Sequence, residues 1–270
     1  MNLIALENTV AVVTGGSSGI GLATVDLLLQ GGAAVAFCGR DEKRLRSAEA
    51  DLRERFPQAR LHAAACNVLD AAEVQRFAEN CERELGAASI LVNNAGQGRV
   101  STFADTQDSA WTEELHLKFF SVIYPTRAFL PQLRRQPGSV DQSSAIVCVN
   151  SLLAAQPEPH MVATSAARAG IKNLVRSMAT EFAPMGVRVN GILVGLIESG
   201  QWRRRFEARE NRTQDWAAWT GELSRRKHIP LGRLGLPQEA ARAIFFLATA
   251  LSSYTTGSHI DVSGGLSHHA

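Results

Sequence analysis

Seven apolar runs punctuate the chain, at residues 9–14, 34–38, 60–65, 90–93, 145–150, 188–194 and 259–262. They are continuously apolar rather than alternating, the pattern of strands covered on both faces. Segments of helix length with amphipathic spacing fill most of the gaps, residues 22–30 being the first. Strand and helix signals that alternate along the whole chain predict an α/β fold, a doubly wound parallel sheet with helices on both sides. No repeat, low-complexity tract or linker interrupts the rhythm, so residues 1–270 are expected to form one domain. One stretch, about 199–228, departs from it. That stretch is polar, contains tryptophan and carries Arg203, Arg204, Arg205, Arg209, Arg212, Arg225, Arg226 and Lys227. A long excursion between two late strands suggests a cover over the carboxyl edge of the sheet, where open α/β sheets bind ligands.

Composition narrows the classes. Hydrophobic residues make up 45% and charged residues 20%, enough for a sizeable core in a soluble globular protein. The 28 basic and 26 acidic side chains leave a net charge of +2, too balanced to point to nucleic acid or an anionic membrane as the main partner. No apolar run approaches the ~20 residues that span a bilayer. The first residues lack the basic start and apolar core of a signal peptide, so a cytoplasmic location is expected. Cys38, Cys66, Cys81 and Cys148 show no C-x-x-C spacing, and three of them fall in strand-like runs. They read as small buried hydrophobes in a reducing compartment. His268 and His269 alone cannot build a metal site, and no metal is expected.

The first apolar run ends in Thr14-Gly15-Gly16-Ser17-Ser18-Gly19-Ile20-Gly21, directly before a helical pattern. Glycine at 15, 19 and 21 permits a tight turn and a close helix–strand approach. The helix that follows points its positive N-terminal end at an anion. A glycine pattern in this strand–turn–helix context predicts a dinucleotide site, with Gly15, Ser17, Ser18, Gly19 and Ile20 facing the phosphates.

Together with Asn93-Asn94-Ala95-Gly96, Ser151, Arg188-Val189-Asn190 and the closing run from Gly257 to Gly265, this turn resembles the short-chain dehydrogenase/reductase family, from about Thr9 to Gly265. The resemblance implies a seven-stranded Rossmann-type sheet, a bound NAD or NADP, a small-molecule substrate, and a homodimer or homotetramer. By the same resemblance Asn67 and Val68 flank the adenine. Asn94, Ala95 and Gly96 line the middle of the cofactor, and Val194, Gly195 and Ile197 meet the nicotinamide end. Gly39 stands where NAD-preferring relatives carry an acid, and Arg40 follows; a guanidinium there can clamp a 2′-phosphate. NADP is therefore expected, with NAD as the alternative. The competing reading of Arg40 is a loop cap paired with Asp41.

The catalytic signature is broken. Relatives in this family use a serine, a Tyr-x-x-x-Lys helix and an asparagine. Ser151 matches the serine. Thirteen positions on stands Thr164 rather than tyrosine, four further Arg168 rather than lysine, and the asparagine position is Lys118. An aliphatic hydroxyl is a far weaker acid than a phenol, so Thr164 cannot replace the tyrosine directly. Arg168 can hold ribose hydroxyls and offer charge to an oxyanion, but it is a poor proton donor. Lys118 could donate a proton if burial beside Arg168 lowered its pKa; a solvent-facing or structural role is the alternative. If a helix begins at Pro159, then His160, Thr164 and Arg168 share a stripe, and His160 becomes a second proton carrier.

Three functions stay open on these residues: an NADP-linked oxidoreductase with a rewired proton relay, a non-catalytic NADP-binding sensor or partner protein, and a non-redox lyase or isomerase on an anionic substrate. The arginine-rich cover bears on the last. Its plainer reading is a solvated helix face paired with Glu207, Glu210 and Glu222.

Overall fold

The computed structural model describes residues 5–134, 144–209 and 213–267. Seven strands, β1 (Val10–Thr14), β2 (Ala34–Gly39), β3 (Leu61–Ala65), β4 (Ile90–Asn93), β5 (Ser144–Ser151), β6 (Val187–Val194) and β7 (His259–Val262), form one sheet in the order β3-β2-β1-β4-β5-β6-β7. Every pairing is parallel. The chain starts at β1, runs outward to β3, then crosses to β4 and runs the other way. That reversal between β1 and β4 opens a crevice at the carboxyl ends of the strands.

The strands form where the apolar runs are. Every residue of β1, β2 and β4 is buried, which only a sheet covered on both faces allows. Helices α1 (Gly19–Gln30), α2 (Glu42–Arg55), α3 (Ala71–Leu85), α4 (Asp108–Leu133) and α5 (Val162–Phe182) follow successive strands. Two more, α6 (Gly200–Glu207) and α7 (Trp216–Arg226), make the excursion, and α8 (Pro237–Ala248) returns to the sheet. On one face α3, α4 and α5 contribute Phe77, Phe129, Ile171 and Val175 to the core. On the other, α1, α2 and α8 contribute Leu28, Leu52, Ile244 and Leu247. Side-chain caps set the starts: the Asp41 carboxylate accepts from Arg44 N (3.0 Å) at α2, and Asp70 from Ala72 N and Glu73 N at α3.

All four cysteines are buried, though only Cys38 and Cys148 lie in strands; Cys66 follows β3 and Cys81 sits in α3. The excursion has a narrow neck. Glu198 N donates to Gly235 O (2.8 Å) and Gly235 N to Leu196 O (3.0 Å). A Cβ at Gly235 would lie 2.5 Å from Ile197 Cδ1, so a larger residue there would make the Ile197 side chain turn away. Among the described residues no helix is long and apolar enough to cross a membrane. Glu210, Arg212, His268 and His269 lie outside the described residues.

Candidate active site

The glycine turn is locked from two sides. Asn94 N and Ala95 N, just past β4, donate to the Thr14 hydroxyl at 3.0 and 3.1 Å. The Asn94 amide donates to Thr14 O (2.9 Å) and Gly15 O (3.0 Å). Gly15 and Gly19 sit at φ +65° and +55°, where a side chain is strained. A Cβ at Gly21 would lie 2.2 Å from Gly15 O and 2.4 Å from the Asn94 amide. The N-terminus of α1 can therefore come down onto the turn only because position 21 is bare. A helix start presented over a bare backbone turn suits a pyrophosphate.

At the end of β2, Gly39 is buried, and a Cβ there would lie 2.8 Å from the Ser17 hydroxyl. A side chain at 39, a carboxylate included, would have to displace that hydroxyl. Asp41 is no substitute, because it caps α2 and pairs with Arg44 Nε at 2.7 Å. Arg40 is exposed and has no ion-pair partner among the described residues. It does not cap its loop with Asp41, which pairs with Arg44 instead. Asn67 is oriented by Leu69 N, which donates to its Oδ1 (3.2 Å), and Val68 beside it is buried. Past β6, a Cβ at Gly195 would lie 2.8 Å from that of Ser263, so the strand end packs closely before Ile197.

The reaction side is made of side chains. Ser151 ends β5 half-buried, its hydroxyl accepting from Leu153 N (3.3 Å). Arg168 on α5 donates from Nη1 to Val149 O (3.0 Å), and the Asn150 amide donates to Arg168 O (3.0 Å). The Arg168 Nε is buried with no hydrogen-bond partner, and Nη2 points toward Gly96 on the cofactor side. Burial lowers the Arg168 pKa to about 10, with Glu114 opposing. The Nη2 edge beside Gly96 can donate to ribose hydroxyls, so the residues present suit a nicotinamide nucleotide on both sides.

Lys118 and Glu114 sit one turn apart on α4, exposed to only 2% and 1%. Lys118 Nζ lies 2.7 Å from Glu114 Oε1 and also donates to Gln97 O. The Thr164 hydroxyl donates to the same Glu114 oxygen and lies 3.2 Å from Arg99 O. The second carboxylate oxygen is buried and unpartnered. Burial, then the charge of Arg168, push the Lys118 pKa down to about 8, against the pull of Glu114. The solvent-facing alternative for Lys118 is excluded by its burial. Lys118, Thr164 and Arg168 belong to one cluster that sequence spacing had suggested only in part.

His160 does not join them. Helix α5 begins at Val162 rather than Pro159, because the chain there is bridged to the 96–101 loop: Ser101 N donates to His160 O (3.0 Å) and Val162 N to Ser101 O (3.2 Å). The shared stripe therefore does not form. His160 is exposed, with Nε2 3.0 Å from Glu158. Glu114 is the residue the sequence reading missed. The available signal was its place four residues before Lys118, on the same helical face.

Residues 9–210 match the short chain dehydrogenase family. The chain belongs to that family. A 3alpha-hydroxysteroid dehydrogenase from Mediterraneibacter gnavus is 30% identical over 261 residues, covering 96% of this chain and 97% of the relative. Among solved structures, the apo form of a short chain oxidoreductase from Pseudomonas aeruginosa PAO1, described as containing an atypical catalytic center, is 76% identical with a TM-score of 0.94, over 98% of this chain and 100% of that one. Its NADPH-bound form is 74% identical with a TM-score of 0.92, over 98% and 99%. The seven-stranded parallel sheet expected of a short-chain dehydrogenase is the one found.

Proposed function

We propose that this chain is an NADP(H)-dependent oxidoreductase that interconverts a small carbonyl and its alcohol with a non-standard proton relay. The bare glycine turn, Arg40 and the NADPH held by the 74% identical neighbour support the cofactor. Gly15, Ser17, Ser18, Gly19 and Ile20 would hold its pyrophosphate. Arg40 would take the 2′-phosphate, Asn67 and Val68 the adenine, and Asn94, Ala95 and Gly96 the middle. Val194, Gly195 and Ile197 would meet the nicotinamide. When bound, it supplies or accepts the hydride.

The chain's own residues handle charge and proton. Ser151 donates a hydrogen bond to the substrate oxygen. Arg168 holds the ribose and lends positive charge to that oxygen as it becomes anionic. Lys118 carries the proton, directly or through water, and regains it from solvent. Glu114 keeps Lys118 in place and Thr164 orients Glu114, so both are positioning residues. The single observation carrying this reading is the buried Lys118–Glu114 pair beside Arg168, with the lysine poised near neutrality. The test is NADPH oxidation by the pure protein across a carbonyl panel, repeated with Lys118→Met. Turnover that survives the substitution would reduce the cluster to an anchor for the 96–101 loop. Tight NADPH binding with no turnover on any substrate would favour the sensor instead. A homodimer or homotetramer in the cytoplasm completes the proposal, and analytical ultracentrifugation measures its size.

A further inference from the structure

The cover joins two segments that flank the candidate site. It leaves β6 at Leu196–Glu198, and its far end brings Lys227 Nζ to 3.1 Å from Glu158 in the loop that follows Ser151. It thus reaches from the strand end expected at the nicotinamide to the segment behind the substrate serine. Its sequence is lopsided in charge: residues 199–228 hold eight basic and four acidic side chains, Arg212 and Glu210 among them lying outside the described residues, while the whole chain carries only +2. Everything outside the cover is therefore net acidic.

Among the described residues, no acid of the cover forms an ion pair with its arginines. Glu222 accepts from the Gln214 amide (2.8 Å), and Asp215 caps α7. Arg203 has its nearest carboxylate, Glu198, at 3.9 Å. Arg204, Arg205, Arg225 and Arg226 are exposed and have no acidic partner among the described residues. No i,i+4 pair joins these arginines to Glu207 or Glu222; Glu210 lies outside the described residues. Beneath the arginines lies an aromatic plate of Trp202, Phe206, Trp216 and Trp219, with ring centroids 5.3 to 6.3 Å apart. Arg203 stacks 3.7 Å over Trp216, Arg209 3.5 Å over Phe206 and Arg205 4.7 Å over Trp202. A guanidinium held flat on a ring loses little entropy when its N–H edges bind an anion; Arg209 already donates to Phe206 O and Gln214 O, which leaves Arg203 and Arg205. Unpaired like charges crowded on two short helices repel until an anion arrives.

We infer that the α6–α7 cover binds an anionic tail on the substrate, a phosphate- or carboxylate-bearing group remote from the reacting carbonyl, as in acyl thioesters of coenzyme A. This rests on the oxidoreductase reading above.

The experiment compares acetoacetyl-coenzyme A with acetoacetyl-N-acetylcysteamine, which carries the same carbonyl without phosphates. The wild-type protein is expected to prefer the coenzyme A ester in kcat/KM, with a preference that weakens as salt rises. The Arg204→Ala, Arg225→Ala, Arg226→Ala triple variant, substituted only at exposed positions, is expected to lose about tenfold of that preference. No preference in the wild type, or one that survives both salt and the triple variant, overturns the inference. A binding measurement stands beside it: three of the four tryptophans lie in the cover, so coenzyme A added to the NADP-loaded protein should change intrinsic fluorescence in the wild type and not in the variant. If neither ester is turned over, the absence of that fluorescence change in protein shown separately to bind NADPH overturns it as well. Failure to bind NADPH counts instead against the oxidoreductase reading.

Discussion

The two halves of the crevice solve their problems with different parts of the chain. On the nucleotide half, around Thr14, Gly15, Gly21 and Asn94, the critical groups are backbone N–H and C=O, and side chains matter mainly by being absent. On the reaction half, Glu114, Lys118 and Thr164 are buried side chains that bond one another beside a half-buried Arg168. A backbone cradle admits few substitutions, because any Cβ at Gly21 meets the carbonyl of Gly15. A requirement for positive charge and a mobile proton can be met by several sets of side chains. This chain keeps the family pattern where geometry demands it and departs from it where chemistry offers alternatives.

The sharpest way to break this contrast is at Lys118. With methionine there, turnover should fall by ~10²–10⁴-fold, the usual cost of losing a general acid or base. In the wild type, carbonyl reduction needs the protonated amine, so its rate should drop as pH rises through about 8, while alcohol oxidation should speed up over the same window. A pH–rate profile in both directions, with and without Lys118→Met, checks the assignment. Next in size is Glu114→Leu, which strands a buried ammonium and should cost about 3–5 kcal/mol in urea unfolding. The cost should shrink above pH 8, because the pKa of folded Lys118 is lowered and the lysine can shed its proton while the unfolded chain keeps it. Equal destabilisation at low and high pH would contradict a charged partner. Gly21→Ala tests the other half: about 1–3 kcal/mol of overpacking, together with loss of NADPH binding by fluorescence titration. Smallest is His160→Ala, expected within about 0.5 kcal/mol and with the pH profile unmoved. A displaced profile would restore His160 to the relay.

The sheet was legible because continuous apolar runs have few alternatives in a chain of this length; β1, β2 and β4 differ from the expected runs by at most a residue at either end. The turn was legible for the same local reason. The reaction half was not, because what makes Glu114 informative is burial, and burial of an acid depends on partners 50 residues away at Thr164. The start of α5 was misread because Pro159 is a good first helical residue taken alone. A bridge from Ser101 to Met161, invisible in the local sequence, holds that segment extended. Lys118 could be named but not placed; spacing cannot tell a solvated lysine from one sealed beneath a loop.

The neck at Ile197 and Gly235 has a consequence for how such a protein diversifies. Because the α6–α7 hairpin departs and rejoins at one pinch point, its contents can be exchanged as a cassette while the strands and the nucleotide cradle stay in register. Transplanting residues 199–234 between homologous scaffolds would test that, with Gly235 kept so that the Ile197 side chain stays in place.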